Sequence, residues 1–257
     1  KKGIQVGDTA YNTMKRDKLK AMKRFDAEAV NSFSEFKRTM GTDKTYPCSN
    51  LGSSFTSDEL SAEIIKSLKS FISDEAFNTL VITVPAKFTI NQKDATLRSA
   101  VEYSGFSQCE LLQEPIAASM AYGLNADSGD GYWLVFDFGG GTFDAALVKT
   151  EEGIMKVVDT EGDNYLGGKN LDYAIVDEII IPYLQDNYSI ASIMEDENKK
   201  MILRDAMKFY AEETKIGMSF NNTYNVLSDL GDIPGEDDDG EEFELDITVT
   251  QSMIEET

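Results

Sequence analysis

Three successive glycines set between two apolar runs, Phe136-Asp137-Phe138-Gly139-Gly140-Gly141-Thr142-Phe143-Asp144, constrain this chain more than any other feature. β-Forming residues on either side predict strands over Tyr132 to Phe138 and Thr142 to Lys149, so the glycines must reverse the chain between them. Without Cβ atoms they can adopt positive φ and let backbone amides approach a ligand closely, which makes a concavity suited to phosphate. A tight structural β-turn is the alternative reading. A Walker loop or a dinucleotide fingerprint would open a helix, whereas this chain re-enters a strand. Asp137 ends the incoming strand and Asp144 lies in the outgoing one. Carboxylates so placed would repel a bound phosphate unless a cation intervened, which implies Mg2+ held by one or two carboxylates together with phosphate oxygens.

Composition removes several other chemistries. No histidine occurs among the 257 residues, which excludes His-based general bases, Ser-His-Asp and Cys-His nucleophile systems and most zinc enzyme designs. Cys48 and Cys109 have neither metal-ligand spacing nor the density of a secreted disulfide scaffold, and a cytoplasmic setting is expected. The formal charge of -22 argues against a nucleic-acid partner. No apolar run approaches the roughly 20 residues that span a bilayer, so no membrane partner is expected.

The charge is also uneven, with most of the positive groups in one stretch, Lys15, Arg16, Lys18, Lys20, Lys23 and Arg24, and the acidic extreme at Glu236 to Glu244. A solvated helix face and a mobile hairpin tip are the readings adopted, with a protein-partner contact as the alternative. Thr56 and Glu59 have capping-box spacing, and Leu60, Ile64, Leu68, Phe71 and Ile72 recur at helical intervals after them. Thr79 to Val84 predicts a strand buried on both faces, followed by a helix over about Asn91 to Ser104, a short strand through Leu112 and a helix from Glu114 to Tyr122. Asn125 to Asp130 is a candidate hinge. Beyond it come a three-strand meander ending near Asp159, helices over about Asn170 to Gln185 and Asn198 to Ser219, and strands at Tyr224 to Leu227 and Phe243 to Val249. Alternating strands and helices predict an α/β fold.

The glycine turn resembles the second phosphate-binding motif of the Hsp70 (DnaK-like) chaperone ATPase domain, within the actin-like superfamily. Other segments agree in order: Val6 to Ala10, Phe36-Lys37-Arg38-Thr39-Met40-Gly41, Val81 to Ala86, Gln113 to Ala118 with Ala121 to Leu124, and Leu166-Gly167-Gly168 before Leu171-Asp172. The resemblance implies an actin-like, ribonuclease H-like fold, incomplete, with mixed sheets flanked by helices. It places part of lobe I in residues 1–126 and part of lobe II in 127–257, the outer subdomain from about 167. ATP or ADP with Mg2+ is the implied ligand. Lys37 matches the catalytic lysine, Asp137 the carboxylate that holds the metal through water, Gly139, Gly140 and Gly141 the phosphate amides, and Thr142 a hydroxyl near the γ-phosphate. Glu114 matches the acid of the metal shell, and Pro85 a switch proline. Glu212, Lys215 and Ser219 match the adenosine side. Without the resemblance, Lys37 reads as a surface lysine, Glu114 as an ordinary helix start and the Glu212 stripe as exposed helix polarity.

The pattern departs from the family at Ile216 and Lys93, both usually Arg, and Asp8 to Lys37 is longer than usual. The first phosphate loop and the final glycine-rich adenosine motif are not found in the sequence. The chain therefore reads as an internal fragment, a poor ATPase alone, of a parent chaperone that couples Mg2+-assisted water attack on the γ-phosphate to peptide holding. Unfolded client peptides, J-domain proteins and nucleotide-exchange co-chaperones are the implied partners. A non-catalytic actin-like interaction module using the acidic surface is the alternative. A sugar kinase of the superfamily would need a sugar site that the sequence does not show.

Overall fold

The structure, a computed structural model, describes residues 3–123, 129–163 and 165–256. Helix α1 (Asp8–Met22) is followed by strands β1 (Thr45–Cys48) and β2 (Ser53–Thr56), helix α2 (Ser57–Lys69), β3 (Thr79–Val84), α3 (Ile90–Val101), β4 (Gln108–Gln113) and α4 (Glu114–Ala121). Then come β5 (Gly131–Phe138), β6 (Phe143–Glu151), β7 (Ile154–Asp163), α5 (Gly168–Ile175), a π turn over Val176–Ile180, α6 (Ile181–Asn187), α7 (Ala191–Glu195) and α8 (Glu197–Met218). Strands β8 (Thr223–Leu227), β9 (Ile233–Glu236), β10 (Glu242–Phe243) and β11 (Asp246–Thr250) precede α9 (Gln251–Glu256). Residues 125–128 of the hinge reading lie outside the described residues.

Contacts group the chain into two compact units, one of the residues up to Gly7 with Phe33–Gly167, the other of Asp8–Ser32 with the residues from Gly168 onward. In this grouping 8–32 joins the later residues, and the described residues of 129–167 join the earlier ones. The cause is contact, since α1 packs on α8 in the second unit and α4 packs on β5 and β7 in the first.

In the first unit, the capping box at Thr56 and Glu59 is formed, and Thr89 with Gln92 makes a second one that starts α3. Each satisfies amide donors that the helix cannot use itself. Strands β3 and β4 run parallel with Val84 beside Gln113, so Pro85 and Glu114 leave the sheet side by side. Strands β5, β6 and β7 form the antiparallel meander, pairing Asp137 with Asp144 and Asp144 with Gly162. The expected mixed sheets are absent among the described residues: every sheet is wholly parallel or wholly antiparallel. Nor is β3 buried on both faces, since its burial alternates and Val81 is 58% exposed. Among the described residues its only strand neighbour is β4, so its apolar run is only half covered.

The core of the second unit gathers Met22 of α1, Ile175 of α5, Leu184 of α6, Leu203 and Met207 of α8, and Phe243, Ile247 and Val249 of the strands. The helix expected over Asn170 to Gln185 changes register in the π turn just before Pro182. Proline has no N–H for the α ladder, and a wider turn accommodates the loss. The strand expected over Phe243 to Val249 is interrupted at Glu244 and Leu245, where Leu245 N–H donates to Ser228 Oγ (2.8 Å) and the Leu245 carbonyl oxygen accepts from Ser228 N–H (3.0 Å). The predicted inward set, Phe243, Leu245, Ile247 and Val249, is buried throughout.

The acidic segment is tied down by hydrogen bonds, and the basic stretch is solvated in part, with Arg16, Lys20, Lys23 and Arg24 exposed. Asp237, 8% exposed, accepts N–H bonds from Ser189 (2.8 Å), Asp239 (2.9 Å) and Glu241 (2.8 Å). Asp238 accepts from Ser192 N–H (2.9 Å) and from the Ser192 hydroxyl. These bonds fix the loop that was read as a mobile tip. The basic stretch runs from α1 into the turn after it, and on α1 Lys15 reaches Glu213 (2.5 Å) and Lys18 reaches Asp205 (3.0 Å). Both pairs are partly exposed, and such pairs contribute little. The docking energy comes instead from Met14, Ala21 and Met22, all buried.

Two outcomes follow for denaturant and thermal melts. Met22→Ala should destabilise by about 2–5 kcal/mol as a large-to-small core change, whereas Lys15→Ala should cost less than about 1 kcal/mol. The N–H donors of Glu241, Ser189 and Asp239 hold the Asp237 carboxyl below the usual carboxylate range against the opposing effect of burial. A depressed folded pKa adds stability above the unfolded value and loses it as pH falls through the folded one. Asp237→Asn should therefore lower Tm near neutral pH, with the gap from wild type closing below about pH 4.

Candidate functional site

The phosphate-side residues expected from the sequence all fall in the first unit. Lys37 lies in a 3-10 turn over Phe36–Thr39. Two constraints place that turn. Thr39 Oγ1 lies 2.7 Å from both Tyr46 Oη and Ser57 Oγ. Gly41, at φ +70°, brings the chain so close to the first turn of α3 that a Cβ there would sit 2.6 Å from the Asn91 carbonyl oxygen. The Lys37 ammonium is thereby presented to Glu114 Oε1 at 2.8 Å. Glu114 opens α4 directly after β4 and is followed by Pro115, whose missing N–H costs nothing at a helix start.

Across from this pair, the ends of β5 and β6 bring Asp137 and Asp144 opposite one another. A recess of about 10 Å3, roughly the room of one water, is lined by Pro85, Glu114, Asp137, Asp144 and Thr160. Burial pushes the Asp144 carboxyl above its ordinary range, and the charges of Glu114 and Asp137 push the same way, while Lys37 and Lys87 oppose them. Negative charge thus accumulates here beyond what two lysines offset. Among the described residues no three acidic or cysteine side chains stand close enough to cage a metal. One or two carboxylates in a negative field match an ion that keeps most of its waters, as Mg2+ does.

The turn itself is closed by Gly139 N–H donating to Thr142 O at 2.9 Å. None of Gly139, Gly140 and Gly141 has positive φ, so that part of the sequence argument is corrected. Their smallness serves close approach instead. Gly167 lies against the bend, where a Cβ would be 2.6 Å from Gly141 N and 2.8 Å from Gly139 O. The Arg38 guanidinium donates to Gly141 O and stands 5.8 Å from the Tyr165 ring centroid. Arg38 Nε is buried without an acceptor among the described residues. Gly140 and Asp137 remain exposed, so the bend is not shut inside the protein.

Glu212, Lys215 and Ser219 lie on α8 in the second unit, where they are engaged rather than an idle polar face. Tyr11 Oη–H donates to Glu212 Oε2 at 2.5 Å. Burial, then this bond and the Glu212 charge, push the Tyr11 hydroxyl well above its ordinary pKa. Lys215 Nζ meets buried Asp172 at 2.5 Å and the Gly168 carbonyl at 3.2 Å. Ser219 Oγ donates to Lys215 O at 3.1 Å, and Ile216 is exposed.

Sequence reasoning quoted Arg38, Gly167 and Asp144 within motifs without assigning them these contacts, and it missed Lys87 and Tyr11. The Gly167-Gly168 pair was a local signal for close packing. Nothing local reports a tyrosine meeting a carboxylate 201 positions away. Residues 5–255 match the family profile described as Hsp70 protein. That span takes in all but the terminal few residues, and the chain therefore belongs to the Hsp70 family, within its nucleotide-binding domain.

Proposed function

We propose that the first unit binds the phosphates of Mg-ATP and Mg-ADP at the Gly139–Gly141 bend. The observation that carries this reading is the Lys37–Glu114 pair, held at 2.8 Å beside the recess that Asp137 and Asp144 line. Lys37 supplies a positioned ammonium for charge developing on phosphoryl oxygens, and Glu114 fixes its direction. The exposed Gly140 backbone and the Thr142 hydroxyl supply donors at the bend. Asp137 would hold Mg2+ through water, and the ion when bound neutralises phosphate charge against the carboxylates. No strong general base is needed, because phosphoryl transfer depends on positioning and charge stabilisation. Taken by itself, the second unit offers Glu212, Lys215 and Ser219 of α8 as the proposed contacts for a nucleoside.

Family membership extends the proposal to the parent protein, in which ATP hydrolysis is coupled to binding of unfolded peptide and regulated by J-domain and exchange co-chaperones. A cytoplasmic setting belongs to the same reading. Among the described residues no helix is long and apolar enough to cross a membrane.

The test is an amide NMR titration of the chain. Mg-ADP should shift the Gly139, Gly140, Gly141 and Thr142 signals, and the shifts should vanish with chelator or in Asp137→Asn; a titration that leaves these amides unmoved would defeat the reading. Lys37→Ala should reduce turnover by about a hundredfold in a parent that hydrolyses ATP, the scale of losing one positioned transition-state donor. Unchanged turnover would remove Lys37 from the catalytic role. Gly167→Ala should abolish the Mg-ADP shifts by forcing the bend aside, an effect visible even where the melt is little changed.

A further inference from the structure

We infer that Arg38 is a positioning residue of the phosphate site: its guanidinium grips the Gly141 carbonyl and so holds the Thr142 N–H turned away from itself, open to a phosphate oxygen. The inference rests on the nucleotide reading above and names a residue that reading does not use. Arg38 follows Lys37 in the same 3-10 turn, so one turn carries both the ammonium that meets Glu114 and the guanidinium that meets the bend. The guanidinium donates through Nη2 to Gly141 O. It also lies against that residue, since a Cβ on Gly141 would be 2.9 Å from Nη2 and 3.0 Å from Nε. The peptide bonds here are trans, and a planar trans peptide points its C=O and its N–H in opposite directions. Holding the Gly141 carbonyl therefore directs the N–H of Thr142 to the side away from Arg38. That N–H has no acceptor among the described residues, nor has the N–H of exposed Gly140.

Two features separate Arg38 from an arginine that only ties the chain together. Lys37 rests on Glu114 and Lys87 on Glu161, whereas no carboxylate of the described residues is in ion-pair contact with Arg38. The half-buried guanidinium instead spends its charge on a carbonyl oxygen beside the Tyr165 ring, and its Nε is buried without an acceptor among the described residues. A partly desolvated cation without a counter-ion is costly, and an anion bound at the bend would offset that cost. The glycine is matched to this contact as well. Gly141 does not have positive φ, so no left-handed backbone demands glycine there, and what meets an added side chain is the guanidinium. A planar fork can lie flat against a peptide in this way, which a compact ammonium cannot do.

Amide NMR of the chain, with and without Mg-ADP, reads both the peptide and the affinity. Arg38→Ala should weaken Mg-ADP binding about tenfold, the scale of one hydrogen bond to a charged group, and should displace the Thr142 signal before any nucleotide is added. Millimolar guanidinium should restore both, and ammonium at the same ionic strength should not, a distinction that a general loss of stability would not produce. Gly141→Ala, whose methyl pushes the guanidinium aside, should match Arg38→Ala, and combining the two should weaken binding no further. Wild-type affinity in Arg38→Ala, rescue by both cations alike or by neither, or additive losses in the double variant would overturn the assignment while nucleotide binding stands. Should Arg38→Ala not fold, Gly141→Ala decides alone: weakened binding with a displaced Thr142 signal supports the assignment, and wild-type affinity overturns it. If Mg-ADP leaves the Gly139–Gly141 amides of wild type unmoved, this inference and the reading beneath it fall together.

Discussion

Convergence of carboxylates is the constraint around which the first unit is arranged. Glu114, Asp137 and Asp144 reach one recess from the ends of three different strands, and like charges brought together in a partly desolvated place disfavour each other's ionised form. Two lysines relieve the repulsion, each with a carboxylate of its own, Lys37 on Glu114 and Lys87 on Glu161. The arrangement is close to balance yet still net negative. On the function proposed above, a hydrated dication would take up that excess charge and the phosphates would meet Lys37.

Strand topology explains why these groups meet although they are far apart in sequence. A parallel β3–β4 pair delivers Pro85 and Glu114 at adjacent strand ends, and an antiparallel meander delivers Asp137 and Asp144 opposite each other across a bend. Ligands of open α/β sheets tend to sit outside the carboxyl ends of the strands. Here the same geometry is built from two small sheets, with the 3-10 turn of Lys37 pinned beside them through Thr39 and Gly41.

Features legible in the sequence were those with a local cause. The capping box at Thr56, the strand ending at Pro85, the helix opened by Glu114-Pro115 and the three-strand meander each carry their signal within a few residues. The inward alternation of Phe243 to Val249 also persists through a break in the strand, because burial follows side-chain direction rather than unbroken ladder bonding. Errors arose where distant contact decides. An apolar run cannot say how many of its faces are covered, so β3 read as fully buried. An acidic run cannot show that backbone donors from Ser189 and Ser192 await it. A basic run cannot show that α8 offers Glu213 and Asp205.

The glycine bend forms where the sequence places a chain reversal, but for a different physical reason. Positive φ would make the three glycines a matter of local backbone freedom, and the bend would then be independent of its surroundings. With no positive φ there, the absence of side chains matters because Gly167 presses on one side and Arg38 reaches Gly141 on another. A bend shaped by its neighbours is rigid on those sides and open only where Gly140 is exposed. The bend is thereby accessible from that side, with exposed Asp137 beside it, and its open side is set by packing rather than by the flexibility of the glycines.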